Sequence, residues 1–306
     1  MLRSLPRTLR VAISMTLLSC NTALHCLPIF CLALAKLVLP LPAWRGFCSR
    51  LLNAMTSSWI TVNGFWIGMV RKNPWDVDIR NELSPDNWYL VTCNHQSWAD
   101  IFISQQLLNR RVPQMKFFLK QELIWVPVIG LVWWALDFPF MKRYSKQYLK
   151  KHPEKRGKDF ETTRRACAKF RHLPAAIFNF MEGTRFTPDK HQRQSSPYRH
   201  LLKPRPGGTG YVLGAMGEQL KALVDITIYY PEGVPGFRDF LSGDKSSVKV
   251  VIDSRPLPQH LRSGDYGSDP VFRAAVQKWI NEIWQEKDEL LESLIEKRRR
   301  RMNKAP

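Results

Sequence analysis

Two stretches near the amino terminus are apolar almost throughout, and they set the first expectation. Val11 to Leu39 follows Arg3, Arg7 and Arg10 and is longer than the roughly 20 residues a helix needs to cross hydrocarbon. It reads as a membrane helix. The run also exceeds the apolar core of a signal peptide, about 7 to 15 residues, and Pro40-Leu41-Pro42 lacks the small residues of a cleavage site, so the segment reads as retained. Asn21, His25 and Pro28 interrupt it. That leaves both a kinked span and a shallow hairpin within one leaflet open, with the polar atoms turned toward water or protein. Leu51 to Val70 mixes Leu51, Trp59, Ile60, Phe65 and Trp66 with Asn53, Ser57, Ser58, Thr61 and Asn63, the pattern of an amphipathic interfacial helix with tryptophan anchors.

From about Trp88 the pattern changes to short apolar runs separated by polar helical stretches. Trp88 to Cys93, Ala175 to Met181, Leu223 to Tyr229 and Val248 to Ile252 have the length and β-rich content of buried strands. Ala99 to Leu108, Phe160 to Phe170 and Tyr211 to Leu220 have helical spacing. Strands alternating with helices predict an α/β fold with helices on the faces of a sheet, and ligands at the carboxyl ends of its strands. Asp269 to Arg301 reads as a long helix capped by Asp269, with Pro270 in its first turn and Lys297-Arg298-Arg299-Arg300-Arg301 at its end. Such a tail is either a solvated helix end or a contact for anionic headgroups. Thr187 to Gly208, rich in Pro, Ser and basic residues, is expected to be a long loop. The resulting organisation is a membrane-associated helical segment (1–72), a catalytic domain (73–260) and a carboxyl-terminal amphipathic helix (261–306).

Composition adds a partner class. The 306 residues contain 46 Lys and Arg against 26 Asp and Glu, a formal charge of +20, with 44% hydrophobic residues. The apolar content excludes a disordered chain, and the charge calls for an anionic partner. The first acidic residue is Asp76, and the cations before it bracket apolar runs instead of forming a patch, which fits a membrane and not a nucleic acid. By the positive-inside rule the basic start and the remainder of the chain then lie on the cytoplasmic side, at the inner membrane if the source is bacterial. The six cysteines form no C-x-x-C pair and read as reduced, mostly buried thiols, with no metal site expected. A G-x-S-x-G elbow and a Gly-Lys-Ser/Thr phosphate loop are absent, and Gly208-Thr209-Gly210 lacks the preceding strand of a dinucleotide loop. Leu123 to Met141, with Trp125, Trp133, Trp134, Phe138 and Phe140, reads as an acyl-tunnel lining, a dip into the bilayer or plain core. Lys142 to Arg171 is a strongly basic run, either a solvated helical face or a dock for lipid, a phosphorylated nucleotide or an acidic carrier protein.

Candidate chemistry sits at two strand ends. Asn94-His95-Gln96-Ser97-Trp98-Ala99-Asp100 follows the first strand. Five residues on an ideal helix turn through about 500°, leaving the two side chains roughly 140° apart; His95 must therefore precede the helix while Asp100 sits in its first turn. A carboxylate there can accept from one ring nitrogen and leave the other free to take a proton. Ser97-x-x-Asp100 equally resembles a capping pair, which would make Asp100 only a helix start. Glu182-Gly183-Thr184-Arg185-Phe186 follows the second strand: Gly permits a tight turn, N–H groups and the Thr hydroxyl can line an anion site, and Arg supplies a planar fork for phosphate.

These blocks resemble the glycerolipid acyltransferases related to 1-acyl-glycerol-3-phosphate acyltransferase. NHQSWAD is similar to the family's N-H-x-x-x-x-D motif and MEGTRF to its E-G-T-R motif. Between them, in the family's order, Lys120-Gln121-Glu122-Leu123 with Pro127-Val128-Ile129-Gly130 resembles K-x-E-L…P-x-x-G, and Phe140-Met141-Lys142-Arg143 resembles F-I-x-R; Val224 to Ile228 before Tyr230-Pro231 is similar to the late hydrophobic motif. Phe186, the basic insert and the length look most like a longer branch that includes bacterial acyltransferases of the YihG type and eukaryotic lysolipid acyltransferases. The resemblance implies a membrane-bound α/β domain with a mixed sheet flanked by helices, and neither a metal nor another cofactor. It implies acyl transfer from acyl-CoA or acyl-carrier protein to a lysophospholipid, first of all lysophosphatidic acid to give phosphatidic acid. Another lysophospholipid, such as lysophosphatidylglycerol, lysophosphatidylinositol or lysocardiolipin, is the alternative acceptor, and a non-catalytic basic membrane scaffold is the rival class. His95 would be the general base, Asp100 its orienter, and Glu182, Gly183, Thr184, Arg185, Lys120 and Arg143 the ligands of the acceptor.

Overall fold

The structure is a computed structural model that describes residues 2–39, 41–141, 158–168, 170 and 173–303. Two long helices, α1 (Arg7–Val38) and α2 (Pro42–Val70), form an antiparallel hairpin. There follow β1 (Asp76–Ile79), β2 (Trp88–Cys93), α3 (Ala99–Leu108), β3 (Met115–Phe117), β4 (Leu119–Lys120), α4 (Ile129–Ala135), β5 (Phe140–Met141), α5 (Lys158–Ala168) and β6 (Ala176–Asn179). Then come α6 (Pro188–Gln194), α7 (Gly207–Met216), β7 (Leu220–Tyr229), α8 (Phe237–Ser242), β8 (Lys249–Pro256) and α9 (Pro270–Asn303).

Six strands make one sheet in the order β1-β8-β7-β2-β6-β3, parallel except where β8 runs against β7, and β4 pairs with β5 in a separate parallel ribbon. The sheet is therefore mixed. Its strands alternate faces with the two-residue period of the pleat. Leu90, Ile177 and Leu223 turn to one face, where Val212, Phe272, Ile280 and Trp284 of α7 and α9 cover them. Tyr89, Val91, Phe178 and Val224 turn to the other, against Ala99, Ile103 and Leu108 of α3. The long carboxyl-terminal helix thus shares the core of the sheet, and Asp269 caps it by accepting from Val271 N at 2.8 Å.

The stretch expected to be a loop from Thr187 to Gly208 contains α6, capped by Thr187 accepting from Lys190 N, and the first residues of α7. The helix expected over Tyr211 to Leu220 begins four residues earlier, at Gly207, and gives way to β7 at Leu220. Glycine is needed in α7 for packing: a Cβ at Gly210 would lie 2.0 Å from the Tyr266 ring. Strands β1, β3 and the β4–β5 ribbon carry too few residues for a periodic signal, four at most.

The hairpin is tied to the rest of the chain at both ends of α1. Arg7 pairs with Asp239 at 2.6 Å, Arg10 pairs with Asp244 at 3.0 Å and donates to Ser242 O, and Lys36 pairs with Asp137 at the far end. Several of its polar residues pair inside the hairpin. Asn21 donates to Asn63 Oδ1 at 2.9 Å, Trp59 Nε1 donates to Thr22 Oγ1 at 3.2 Å, and His25 Nε2 meets Ser58 Oγ at 3.2 Å. α2 then joins α3, with Ser57 donating to Asn109 Oδ1 at 2.7 Å and Trp66 meeting Phe102 edge to face. α1 continues as one helix through Pro28 and is long and apolar enough to cross a membrane.

Among the described residues, two lysines are buried in the core. Lys287 of α9 lies 2.6 Å from Asp225 Oδ1 and donates to Ile226 O at 2.7 Å. Lys116 of β3 donates to Leu136 O at 2.7 Å beneath the Phe138 ring, and burial lowers its pKa to about 8. Removing one member of a buried ion pair strands the other, typically at about 3–5 kcal/mol, whereas replacing both by apolar groups is often neutral. Lys287→Met is expected to lower stability by that order and the Asp225→Leu/Lys287→Met double variant to recover most of it. Denaturant unfolding in detergent, followed by tryptophan fluorescence, measures the difference.

Candidate active site

β2 ends at Cys93, and the chain must turn out of the sheet before α3 can begin at Ala99. Asn94 makes the turn. Its side chain accepts from Ile228 N at 2.8 Å and donates to Ile228 O at 2.9 Å, replacing the next rung of the β2–β7 ladder. His95 follows at the strand tip, and Asp100 stands in the first turn of α3 with only 1% of its side chain exposed.

His95 Nδ1 lies 2.9 Å from Asp100 Oδ2. The same oxygen accepts from Gln96 N at 2.6 Å and Ser97 N at 2.7 Å, and Tyr230 donates its hydroxyl to Oδ1. The capping role and the histidine-orienting role of Asp100 are thus held together by one carboxylate. A carboxylate facing Nδ1 places the ring proton on Nδ1 and leaves the Nε2 lone pair free. The imidazole is stacked on Phe180 with centroids 3.9 Å apart and an interplanar angle of 18°. Its side chain keeps 14% exposure. Burial and the neighbouring Asp100 charge raise the Tyr230 pKa well above its ordinary value, so its hydroxyl stays protonated and donating.

The second strand end is brought to the first. Glu182 Oε1 accepts from His95 N at 2.8 Å and Oε2 accepts from Leu202 N at 2.9 Å. Phe186 N donates to His95 O at 2.7 Å. Both oxygens of the buried Glu182 carboxylate are spent on backbone, so its geometry is that of a strut under His95, where the sequence reading expected an acceptor ligand. Burial raises its pKa to about 7 against the partial relief of those two N–H groups. Gly183 takes φ +70°, a left-handed conformation that glycine adopts without strain, and a Cβ there would meet Arg205 Cδ at 3.1 Å. Thr184 accepts from Lys190 Nζ at 2.8 Å, and the Arg185 guanidinium lies 5.0 Å above the Trp98 ring. Arg185, Lys190 and Arg205 therefore gather around the Gly183–Thr184 turn beside the His95 strand tip, a cationic setting for an anion.

Of the residues expected at the site, His95, Asp100, Gly183, Thr184 and Arg185 lie on the two adjoining strand ends, with Glu182 beneath them. Lys120 is exposed on β4, in the ribbon and not in the main sheet. Arg143 lies outside the described residues, as does most of the basic run from Lys142 to Arg171. Sequence reasoning assigned no role to Asn94, Tyr230 or Lys190. Tyr230 stood in a recognised block, but its partner is 130 residues away, a separation that no local spacing encodes.

The family model described as Acyltransferase matches residues 76–254. The chain belongs to this family. Among curated relatives, a Schizosaccharomyces pombe protein named an uncharacterized acyltransferase is 26% identical over 223 residues, covering 68% of this chain and 60% of its own. Mouse 1-acyl-sn-glycerol-3-phosphate acyltransferase gamma is 25% identical, with 68% and 54% covered. Mouse lysocardiolipin acyltransferase 1 is 26% identical, with 69% and 55% covered. The chain thus spans little more than half the length of these relatives. The crystal structure of the 1-acyl-sn-glycerophosphate acyltransferase PlsC from Thermotoga maritima aligns with a TM-score of 0.48 at 15% identity, covering 91% of this chain and 98% of that one.

Two variants test how His95 is held here. A hydrogen bond to a charged group contributes about 1.5–3 kcal/mol, so Tyr230→Phe is expected to lower kcat of an acyl-transfer assay about tenfold or more with KM nearly unchanged. Glu182→Gln sets an amide N–H against one of the two backbone N–H groups and should lower kcat by loosening His95. With a pKa of about 7 against 4.5 for an unperturbed group, Glu182 binds more protons when folded. Its contribution to stability is complete below pH 4.5 and is lost as pH rises through about 7. Thermal unfolding across that window is expected to show this decline in the native protein and a shallower one in Glu182→Gln.

Proposed function

We propose that this protein transfers a fatty acyl group from acyl-CoA or acyl-carrier protein to the free hydroxyl of a membrane lysophospholipid, first of all 1-acyl-sn-glycerol 3-phosphate, to give phosphatidic acid. The observation that carries this reading is the His95–Asp100 pair, with Nε2 left free beside the cationic Gly183–Thr184 turn. In the proposed reaction Nε2 removes the acceptor hydroxyl proton as its oxygen attacks the thioester carbonyl. The tetrahedral intermediate then expels the thiolate, which takes that proton from the imidazolium. Asp100 steadies the imidazolium, as expected of a general base worth about a hundred- to ten-thousandfold in rate. Gly183, Thr184 and Arg185 hold the acceptor phosphate in this reading, with Lys120 and Arg143 as further ligands. The equal similarity to a lysocardiolipin acyltransferase favours a second acceptor class, another lysophospholipid with a phosphodiester headgroup.

The substrate is a membrane lipid, and the hairpin supports a membrane location for the enzyme. α1 is 32 residues, about 48 Å long, yet the catalytic domain grips both its ends. A helix crossing the bilayer would carry one end away from that domain. The reading is therefore a hairpin lying in one leaflet, with the catalytic domain on the cytoplasmic side where the basic residues gather.

Acyl transfer by the detergent-purified protein from labelled acyl-CoA, offered lysophosphatidic acid beside other lysophospholipids, tests the proposal. Product from lysophosphatidic acid that falls at least a hundredfold in His95→Ala is expected. Product from another lysophospholipid alone moves the reading to remodelling. Equal product from the variant, or none from any acceptor with either donor, refutes the catalytic reading and leaves the basic membrane scaffold.

A further inference from the structure

The segment from Trp125 to Trp134 is built to show apolar side chains to its surroundings. From Trp125 to Leu136 no residue is charged. The backbone is folded into a tight knot: Val128, β-branched, takes φ +63°, Gly130 N donates to Val126 O at 2.9 Å, and a Cβ at Gly130 would lie 2.2 Å from Ile124 O. With the backbone consuming the interior, Val132 and Trp133 pack toward α1 and α2 while the remaining large side chains point outward. Trp125 is 83% exposed, Leu131 55% and Trp134 47%. A left-handed valine is costly, and a turn that carries this strain to expose tryptophans has a use for the exposed surface.

The position of the turn indicates what covers it. Ala135, Leu136 and Phe138 at its base pack with Ile29 and Ala33 of α1 and Leu52 of α2. The Lys36–Asp137 pair and the Lys116 bond to Leu136 O fix that base to the hairpin and to the sheet. The outer side of the same half of α1 shows Leu24, Leu27, Leu34 and Val38, all more than 60% exposed. The turn therefore extends an apolar surface that the helix already presents, and its tryptophans have the amphipathic form suited to the level of lipid headgroups.

We propose that the Trp125–Trp134 turn is a membrane anchor within the catalytic domain, inserting into the headgroup and upper acyl region of the leaflet that holds the α1–α2 hairpin. The proposal rests on the membrane reading of that hairpin. Lys120 stands five residues before Trp125, so the inserted turn brings the β4 strand to the level of lipid phosphates. The occupant is lipid, not the apolar face of a protein.

Site-specific fluorescence tests this in the full chain. The exposed native thiols are removed by Cys20→Ser and Cys31→Ser, and an environment-sensitive fluorophore is attached through Leu131→Cys, through Leu34→Cys on α1 or through Lys278→Cys on α9. Lys278 is exposed on the opposite face of the sheet from the hairpin. Bound to phosphatidylethanolamine–phosphatidylglycerol vesicles carrying acyl-chain spin labels, positions 131 and 34 are expected to be quenched at least twofold more than position 278. Quenching at 34 but not at 131 overturns the anchor and leaves the hairpin reading standing. No quenching at 34 overturns the membrane reading and the anchor with it. A concentration-dependent blue shift at 131 without lipid, and no quenching with it, assigns the face to a second copy and also overturns the proposal. As a functional arm, Trp125→Asp is expected to raise KM severalfold for acceptor embedded in vesicles while leaving turnover of a dispersed short-chain acceptor unchanged; equal loss on both acceptors counts against the anchor.

Discussion

A buried carboxylate is tolerated only when its charge is met on every side, and Asp100 is the residue around which this structure is arranged to do so. Its two oxygens receive His95 Nδ1, the backbone N–H groups of Gln96 and Ser97, and the Tyr230 hydroxyl. Three of those donors come from the β2–α3 turn and the fourth from the residue that follows β7, while Asp100 itself stands in the first turn of α3. Satisfying one charge thus fixes the helix start, the direction of the histidine ring and the relation between two strand ends. The histidine tautomer follows without any further device.

A second layer supports the first. Glu182 binds the backbone of His95 with one oxygen and that of Leu202 with the other, so the E-G-T-R turn and the segment leading to α7 are clamped under the strand tip. Asn94 does the same toward β7. Backbone donors leaving a sheet need partners, and here three side chains supply them while leaving Nε2 of His95 without a competing contact in the dyad. Placing the cations Arg185, Lys190 and Arg205 around Gly183 then sets a positive field beside His95, an arrangement suited to an anion.

Several polar groups of the hairpin are met in a similar way. Asn21, Thr22, His25, Ser58 and Asn63 look like defects in apolar helices when read along the chain, yet they pair across α1 and α2 and leave an outer stripe that is apolar. Ion pairs at Arg7, Arg10 and Lys36 bind that hairpin to the domain bearing the dyad. The apolar outer face of α1 and the His95–Asp100 pair are thereby tied into one framework.

Much of this was legible in the sequence, for reasons of range. The α3 helix, β2, the long carboxyl-terminal helix and the apolar amino-terminal helices follow from periodicity and length, which are local. The His95–Asp100 pair is local too, since five residues separate its members and a helix start reconciles their directions. Tertiary structure alone decided that Glu182 faces the backbone of His95 and Leu202, because its burial depends on these residues arriving from different parts of the chain. It alone brought Tyr230 and Arg205 to the site, decided that β8 is the strand that runs against β7, and turned Asn21 of α1 inward against Asn63. Each of these is a pairing between distant segments whose partner is set by packing, and a one-dimensional pattern records which residues need a partner without recording which one they meet.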